Sequence, residues 1–236
     1  MTLEEAKKTG KNFKVVPVSK EIAEGEKTPM EVLRKLKKVS TQCYLLESVE
    51  KQKKRGRYTF LGFEPEAEVT CMDGKVVIQK KETETIKNTI HPKEVIQKIL
   101  EEYKSPKIEG YPPFTGGFVG YFSYDYAKYS EPSLHLSKAG NEEFQDMDLM
   151  LFNKVIAFDH VRKKIIVIVN VKTEKIEEEY ARAIKEIDRI IDLIENGIPL
   201  EHIKGSLESE YRTLFSKEAY CDMVYKYLLF VCTKVS

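Results

Sequence analysis

The cluster Gly116-Gly117-Phe118-Val119-Gly120 has residue types that could do chemistry, because glycine-rich turns can hold phosphates on backbone N–H groups. It lacks the Lys-Ser/Thr of a P-loop and the spacing G-x-G-x-x-G, and aromatic residues rather than a helix follow it. It reads instead as a strand whose glycines let another backbone, or a ligand, come close. The basic run from Lys51 to Arg57 could meet nucleic acid, but it has no interleaved aromatics and reads as a solvated connection between strands. His91, His135, His160 and His202 have no metal-ligand spacing, and none stands in a nucleophile motif. Asp146 and Asp148 could form a carboxylate pair, but their place ahead of an apolar run marks the exposed start of a strand. Taken alone, these residues contain no catalytic constellation.

Composition narrows the classes further. The chain has 236 residues, 42% of them hydrophobic, which is too apolar for a disordered chain and long enough to bury a core without a disulfide or metal staple. Lys plus Arg number 39 against 38 Asp plus Glu, so a whole-chain nucleic-acid binder is not expected. No apolar run approaches the roughly 18 residues of a membrane span, and the N-terminus has no signal-peptide core. Cys43, Cys71, Cys221 and Cys232 are scattered without a C-x-x-C and are expected to be reduced thiols of a cytoplasmic protein.

The elements that must position any site follow from periodicity. Residues 1–27 are polar apart from Val15-Val16-Pro17-Val18. Thr28-Pro29-Met30-Glu31 reads as a capped helix start with a capping box, and Val32, Leu33, Leu36 and Val39 form its apolar face. Cys43 to Val49 and Arg57 to Gly62 are predicted strands. Glu68 to Lys80 is a predicted hairpin turning at Asp73-Gly74. Val95, Ile96, Ile99, Leu100 and Tyr103 make an amphipathic helix, and residues 130–143 form a polar loop. Asp148 to Phe158 and Lys164 to Val171 are predicted strands, the second covered on both faces. A helix over Thr173 to Asn196 carries the stripe Ile176, Tyr180, Ile184, Ile187, Ile191 and Ile194, and stops at Gly197. Residues 198–213 read as a linker before a helix capped by Ser216. The class is α+β, with helices covering antiparallel sheet.

Five segments in order then resemble the N-terminal half of the anthranilate synthase component I family. They are Thr28-Pro29; Tyr44-Leu45-Leu46-Glu47-Ser48; Gly56 to Gly62; Pro113 to Asp125; and Asp148 to Phe152. The resemblance implies an antiparallel β-sandwich-type fold with outer helices, of which this chain would hold the N-terminal half. It implies an enzyme that converts chorismate to anthranilate and pyruvate with Mg2+, using ammonia from a glutamine amidotransferase subunit. The chorismate and Mg2+ residues of that family lie in its C-terminal half, so no catalytic residue and no cofactor is expected here, and the chain alone is expected to be inactive. The domain division expected is 1–213 as the regulatory domain, 214–226 as the start of the catalytic domain, and 227–236 as a non-family tail from a truncation or frameshift. The resemblance also implies a feedback site for L-tryptophan, carried by Leu45, Leu46, Glu47 and Ser48, with Arg57 supplying a cation. Strand alternation sends Glu47 and Ser48 to opposite faces, and Ser48 is favoured as the ligand contact. The aminodeoxychorismate synthase component I family shares most of this pattern and stands as the alternative, as does a non-catalytic binding module of a split enzyme.

Overall fold

A computed structural model of the chain describes residues 1–47, 56–131, 144–200 and 227–233, the last of these through its backbone. It contains the strands β1 (Val15–Ala23), β2 (Cys43–Glu47), β3 (Tyr58–Phe63), β4 (Ala67–Met72), β5 (Lys75–Lys80), β6 (Thr83–Asn88), β7 (Gly117–Ser123), β8 (Met147–Phe152), β9 (Lys154–Asp159), β10 (Lys164–Lys172) and β11 (Tyr227–Thr233). The helices are α1 (Leu3–Thr9), α2 (Pro29–Val39), α3 (Pro92–Glu101) and α4 (Ile176–Asn196). The strands form a five-stranded sheet ordered β1-β10-β9-β3-β2 and a six-stranded sheet ordered β11-β7-β8-β4-β5-β6. All their pairings are antiparallel. This is the expected α+β class.

Alternation along the strands makes three apolar layers. Leu61, Ile156, Phe158, Ile165, Val167 and Val169 face Val32 and Leu36 of α2 and Ala183, Ile187, Ile190 and Ile194 of α4. Val69, Cys71, Val76, Leu149 and Leu151 of the larger sheet face Val95 and Ile96 of α3. Between the sheets, Phe114, Val119, Phe152 and Val155 meet Tyr44, Leu46, Phe60 and Met150, so residues of both sheets share one cluster.

Local chemistry explains several boundaries. The Thr28 hydroxyl accepts the Glu31 N–H at 3.2 Å, and Pro29 opens α2. The Glu31 carboxylate goes to Lys35 rather than back to the cap, so only half of the expected box forms. A complete box, Thr2 with Glu5, starts α1 within the stretch that is polar in sequence. Asp73 and Gly74 both have positive φ, 46° and 79°, as a primed two-residue turn requires. At Gly120 an added Cβ would lie 2.0 Å from the Asp148 carbonyl oxygen, so this glycine does mark a close backbone approach, of β8 on β7.

Other expectations are corrected. The run from Asp148 to Phe158 is not one strand. It breaks at Asn153, whose carbonyl accepts both the N–H and the Nδ2 of the buried Asn170, each at 2.8 Å. The chain therefore passes from the larger sheet in β8 to the smaller sheet in β9. The Val15–Val18 patch extends into the nine-residue β1, where Pro17 is tolerated because β1 is an edge strand. The wholly exposed β6 has no apolar alternation and is held by its hairpin pairing to β5. Helix α4 begins at Ile176 rather than Thr173, because the Thr173 hydroxyl donates to the Phe13 and Lys14 carbonyls. The expected exposed position of Asp146 is also wrong: it is buried, with its carboxylate accepting the Asp73 N–H, the Tyr129 hydroxyl and the Lys128 ammonium. The expected linker beyond residue 200, the Ser216 helix, and most of the 130–143 loop lie outside the described residues.

Candidate functional site

Strand β2 separates the residues expected to form the site. Leu45 pairs with Leu61 and packs with Cys43 toward the helix-covered core. Leu46 pairs with Phe60 and enters the inter-sheet aromatic cluster. Glu47 ends the strand opposite Thr59 and is exposed, on the same side as Leu45. Ser48 lies outside the described residues. Arg57, just before β3, places its Cζ 4.8 Å from the Tyr58 ring centroid, and Tyr58 stacks on Phe60 at 5.8 Å. Leu46, Phe60, Tyr58 and Arg57 therefore run as one row along the end of the smaller sheet, while Glu47 stands on the opposite face.

Arg57 is not a loose surface cation. Its Nε and Nη2 donate to the two carboxylate oxygens of Asp159 at 3.0 and 2.6 Å. Asp159 is fully buried, and its Oδ1 also accepts the N–H groups of Val161 and Arg162, which pins the β9–β10 turn. Burial alone would raise the Asp159 carboxyl, but the Arg57 guanidinium and those two N–H groups outweigh it and hold the carboxyl below its ordinary value. The Asp159 hydrogen bond in turn holds Arg57 more firmly charged than a free guanidinium. Neither Asp159 nor the aromatic row was singled out from the sequence. The available signal was the turn at Asp159 to Lys163, since an Asp opening a turn can bond the N–H groups ahead of it.

Two other polar groupings lie nearby in the fold. Thr59 Oγ1 lies 2.8 Å from His160 Nε2, and His160 Nδ1 lies 3.7 Å from Glu24 Oε1. This has the order of a nucleophile, base and acid, but Thr59 is 1% exposed, so no substrate reaches its hydroxyl. On the larger sheet, Asp148 stands between the cross-strand neighbours Thr70 and Tyr121. Its Oδ1 is buried with no hydrogen-bond partner among the described residues. Burial, reinforced by the charge of Glu68, pushes this carboxyl up to about 6.

Among the described residues no three His, Cys, Asp or Glu side chains gather as metal ligands. A surface cavity of about 210 Å3 is lined by Lys7, Gly10, Lys11, Thr173 and Ile176 and contains none of the residues above. No helix among the described residues is long and apolar enough to cross a membrane.

Comparison with known proteins adds the family context. A family model described as chorismate binding enzyme matches residues 41–228. Anthranilate synthase component 1 of Acetivibrio thermocellus is 30% identical over 239 residues, covering 95% of this chain and 47% of that protein. Anthranilate synthase component 1 of Acinetobacter calcoaceticus is 31% identical over 217 residues, covering 90% of this chain and 43% of that protein. The chain thus spans less than half the length of these curated relatives. The crystal structure of anthranilate synthase component I from Streptococcus pneumoniae TIGR4 covers 76% of this chain and 37% of that chain, with a TM-score of 0.46 and 20% identity.

Proposed function

This chain belongs to the family of chorismate binding enzymes, and on that premise we propose that it is the tryptophan-sensing portion of an anthranilate synthase component I. The ligand is L-tryptophan, and the residues that hold it are Leu46, Glu47, Ser48 and Arg57. A zwitterionic amino acid needs a cation or donors for its carboxylate and acceptors for its ammonium. Arg57 meets the first need and Ser48 the second, Glu47 buttresses the strand from its other face, and the row of Leu46, Phe60 and Tyr58 offers an apolar flank to an indole. The observation that supports this reading is the position of the charged Arg57 at the same sheet end as Leu45, Leu46 and Glu47.

The wider activity is proposed for the assembled enzyme rather than for these residues. In it, chorismate is converted to anthranilate with ammonia delivered by a glutamine amidotransferase partner, and tryptophan occupying this portion restrains that conversion.

Calorimetric titration with L-tryptophan tests the ligand assignment. The parent chain should bind saturably. Ser48→Phe should weaken binding by more than the roughly one to two decades that follow from losing a charged hydrogen bond worth about 1.5–3 kcal/mol, because the ring also fills space. Equal affinity in parent and variant would refute the role of Ser48. A weak effect at Ser48 with a strong one for Glu47→Ala would put the ligand on the other face of the strand. A parent chain that ignores tryptophan would favour the aminodeoxychorismate branch or a binding module.

A further inference from the structure

We infer that Asp159 is the positioning residue that fixes Arg57 so that its remaining guanidinium edge receives the carboxylate of an amino-acid ligand. The inference rests on the tryptophan reading above and deepens it.

A guanidinium presents two bidentate edges, one formed by Nε with Nη2 and one by the two terminal nitrogens. Asp159 occupies the first, through Nε and Nη2 at 3.0 and 2.6 Å. The second edge, Nη1 with the remaining proton of Nη2, has no partner among the described residues, and the Arg57 side chain is 39% exposed. An arginine held on one edge and open on the other is arranged for fork-on-fork binding of a second carboxylate.

The rigidity of the hold separates this from an ordinary surface pair. Asp159 is 0% exposed, and its Oδ1 is also bonded by the Val161 and Arg162 N–H groups at 3.2 and 3.1 Å. The carboxylate therefore cannot follow a moving guanidinium. Arg57 is limited from a second direction by the Tyr58 ring, 4.8 Å from its Cζ. The Arg57 carbonyl accepts the His160 N–H at 3.0 Å, which locks the backbone beneath the side chain to the same turn. Side chain and backbone are thus fixed to one rigid point, and less rotamer freedom remains to be lost when a ligand carboxylate docks.

A purely structural ion pair would affect every ligand alike, whereas a carboxylate-positioning pair affects only ligands that carry a carboxylate. The test is calorimetric titration of the chain with L-tryptophan and with tryptamine, which lacks the carboxylate. The parent should prefer tryptophan by about tenfold or more, the scale of a charge-assisted bidentate contact. Asp159→Asn should lose most of that preference, with tryptamine binding changed by less than about twofold and the thermal midpoint recorded alongside. Should Asp159→Asn fail to fold, Asp159→Glu serves, because it keeps the charge but moves it by one methylene and should also reduce the preference.

Full preference in whichever variant folds, or equal weakening of both ligands, overturns the positioning role and leaves the tryptophan reading intact. Failure of the parent chain to bind tryptophan overturns the ligand reading, and the positioning role with it.

Discussion

Replacing Asp148 with asparagine should stabilise the fold at neutral pH, although it removes a charge and adds no contact. Asp148 is half-buried on β8 between Thr70 and Tyr121, with its Oδ1 buried and without a hydrogen-bond partner among the described residues. Burial, with the Glu68 charge behind it, lifts the carboxyl from an ordinary 3.8 to about 6. The folded state therefore binds the proton more tightly than the unfolded state. The resulting stabilisation is complete below about pH 3.8 and is lost as pH rises through about 6. At 1.36 kcal/mol per pH unit, the gap corresponds to about 3 kcal/mol of destabilisation at pH 7, which partial exposure to solvent reduces to about 1–2 kcal/mol. Urea unfolding of parent and Asp148→Asn at about pH 5 and about pH 7 measures it. The parent should lose about 0.5–1 kcal/mol more than the variant over that range, and the variant should be the more stable at the upper pH. A variant that is less stable at neutral pH, with an unchanged pH slope, would refute the reasoning by showing that the carboxylate is ionised and well partnered in the fold.

Two packing predictions follow from the same structure. Gly120→Ala should cost about 3 kcal/mol or more, because its Cβ would lie 2.0 Å from the Asp148 oxygen and 2.8 Å from the Leu149 Cα, both backbone atoms that cannot rotate away. A urea midpoint unchanged from the parent would show that β7 and β8 are not held this close. Ile187→Ala should cost about 2–5 kcal/mol, because Ile187 is fully buried between α4 and the smaller sheet. A loss under about 1 kcal/mol would mean that α4 packs loosely on that face.

The fold was most legible where a single local rule decides the backbone. Thr28-Pro29 could only open a helix economically, and Asp73-Gly74 supplied the two positive φ angles of a hairpin turn. Within the glycine cluster at 116–120, Gly120 does serve the close strand contact that its glycine suggests. Legibility failed where long-range partners decide. Nothing in the run around Asn153 marks a change of sheet, because the break is made by Asn170 reaching back from β10. β6 has no apolar face to announce it, and Thr173 looks like helix until its hydroxyl is seen bonded to the start of β1.

The candidate site divides in the same way. Alternation along β2 sends Leu45 and Leu46 to opposite faces, but the pairing of Arg57 with Asp159 joins residues 102 positions apart. Such a pairing leaves no trace in local spacing, and the same holds for the burial of Asp146 beneath Lys128 and Tyr129.

The proposal that this chain senses tryptophan is tested most directly by the ligand's own emission, since the chain contains no Trp residue. L-tryptophan titrated with increasing chain should show a saturable rise in fluorescence anisotropy, with emission moving to shorter wavelength as the indole leaves water. Excess L-phenylalanine, which carries the carboxylate but not the indole, should not reverse the rise. Anisotropy that stays at the value of free tryptophan across the titration, with the chain folded by circular dichroism, would contradict the account.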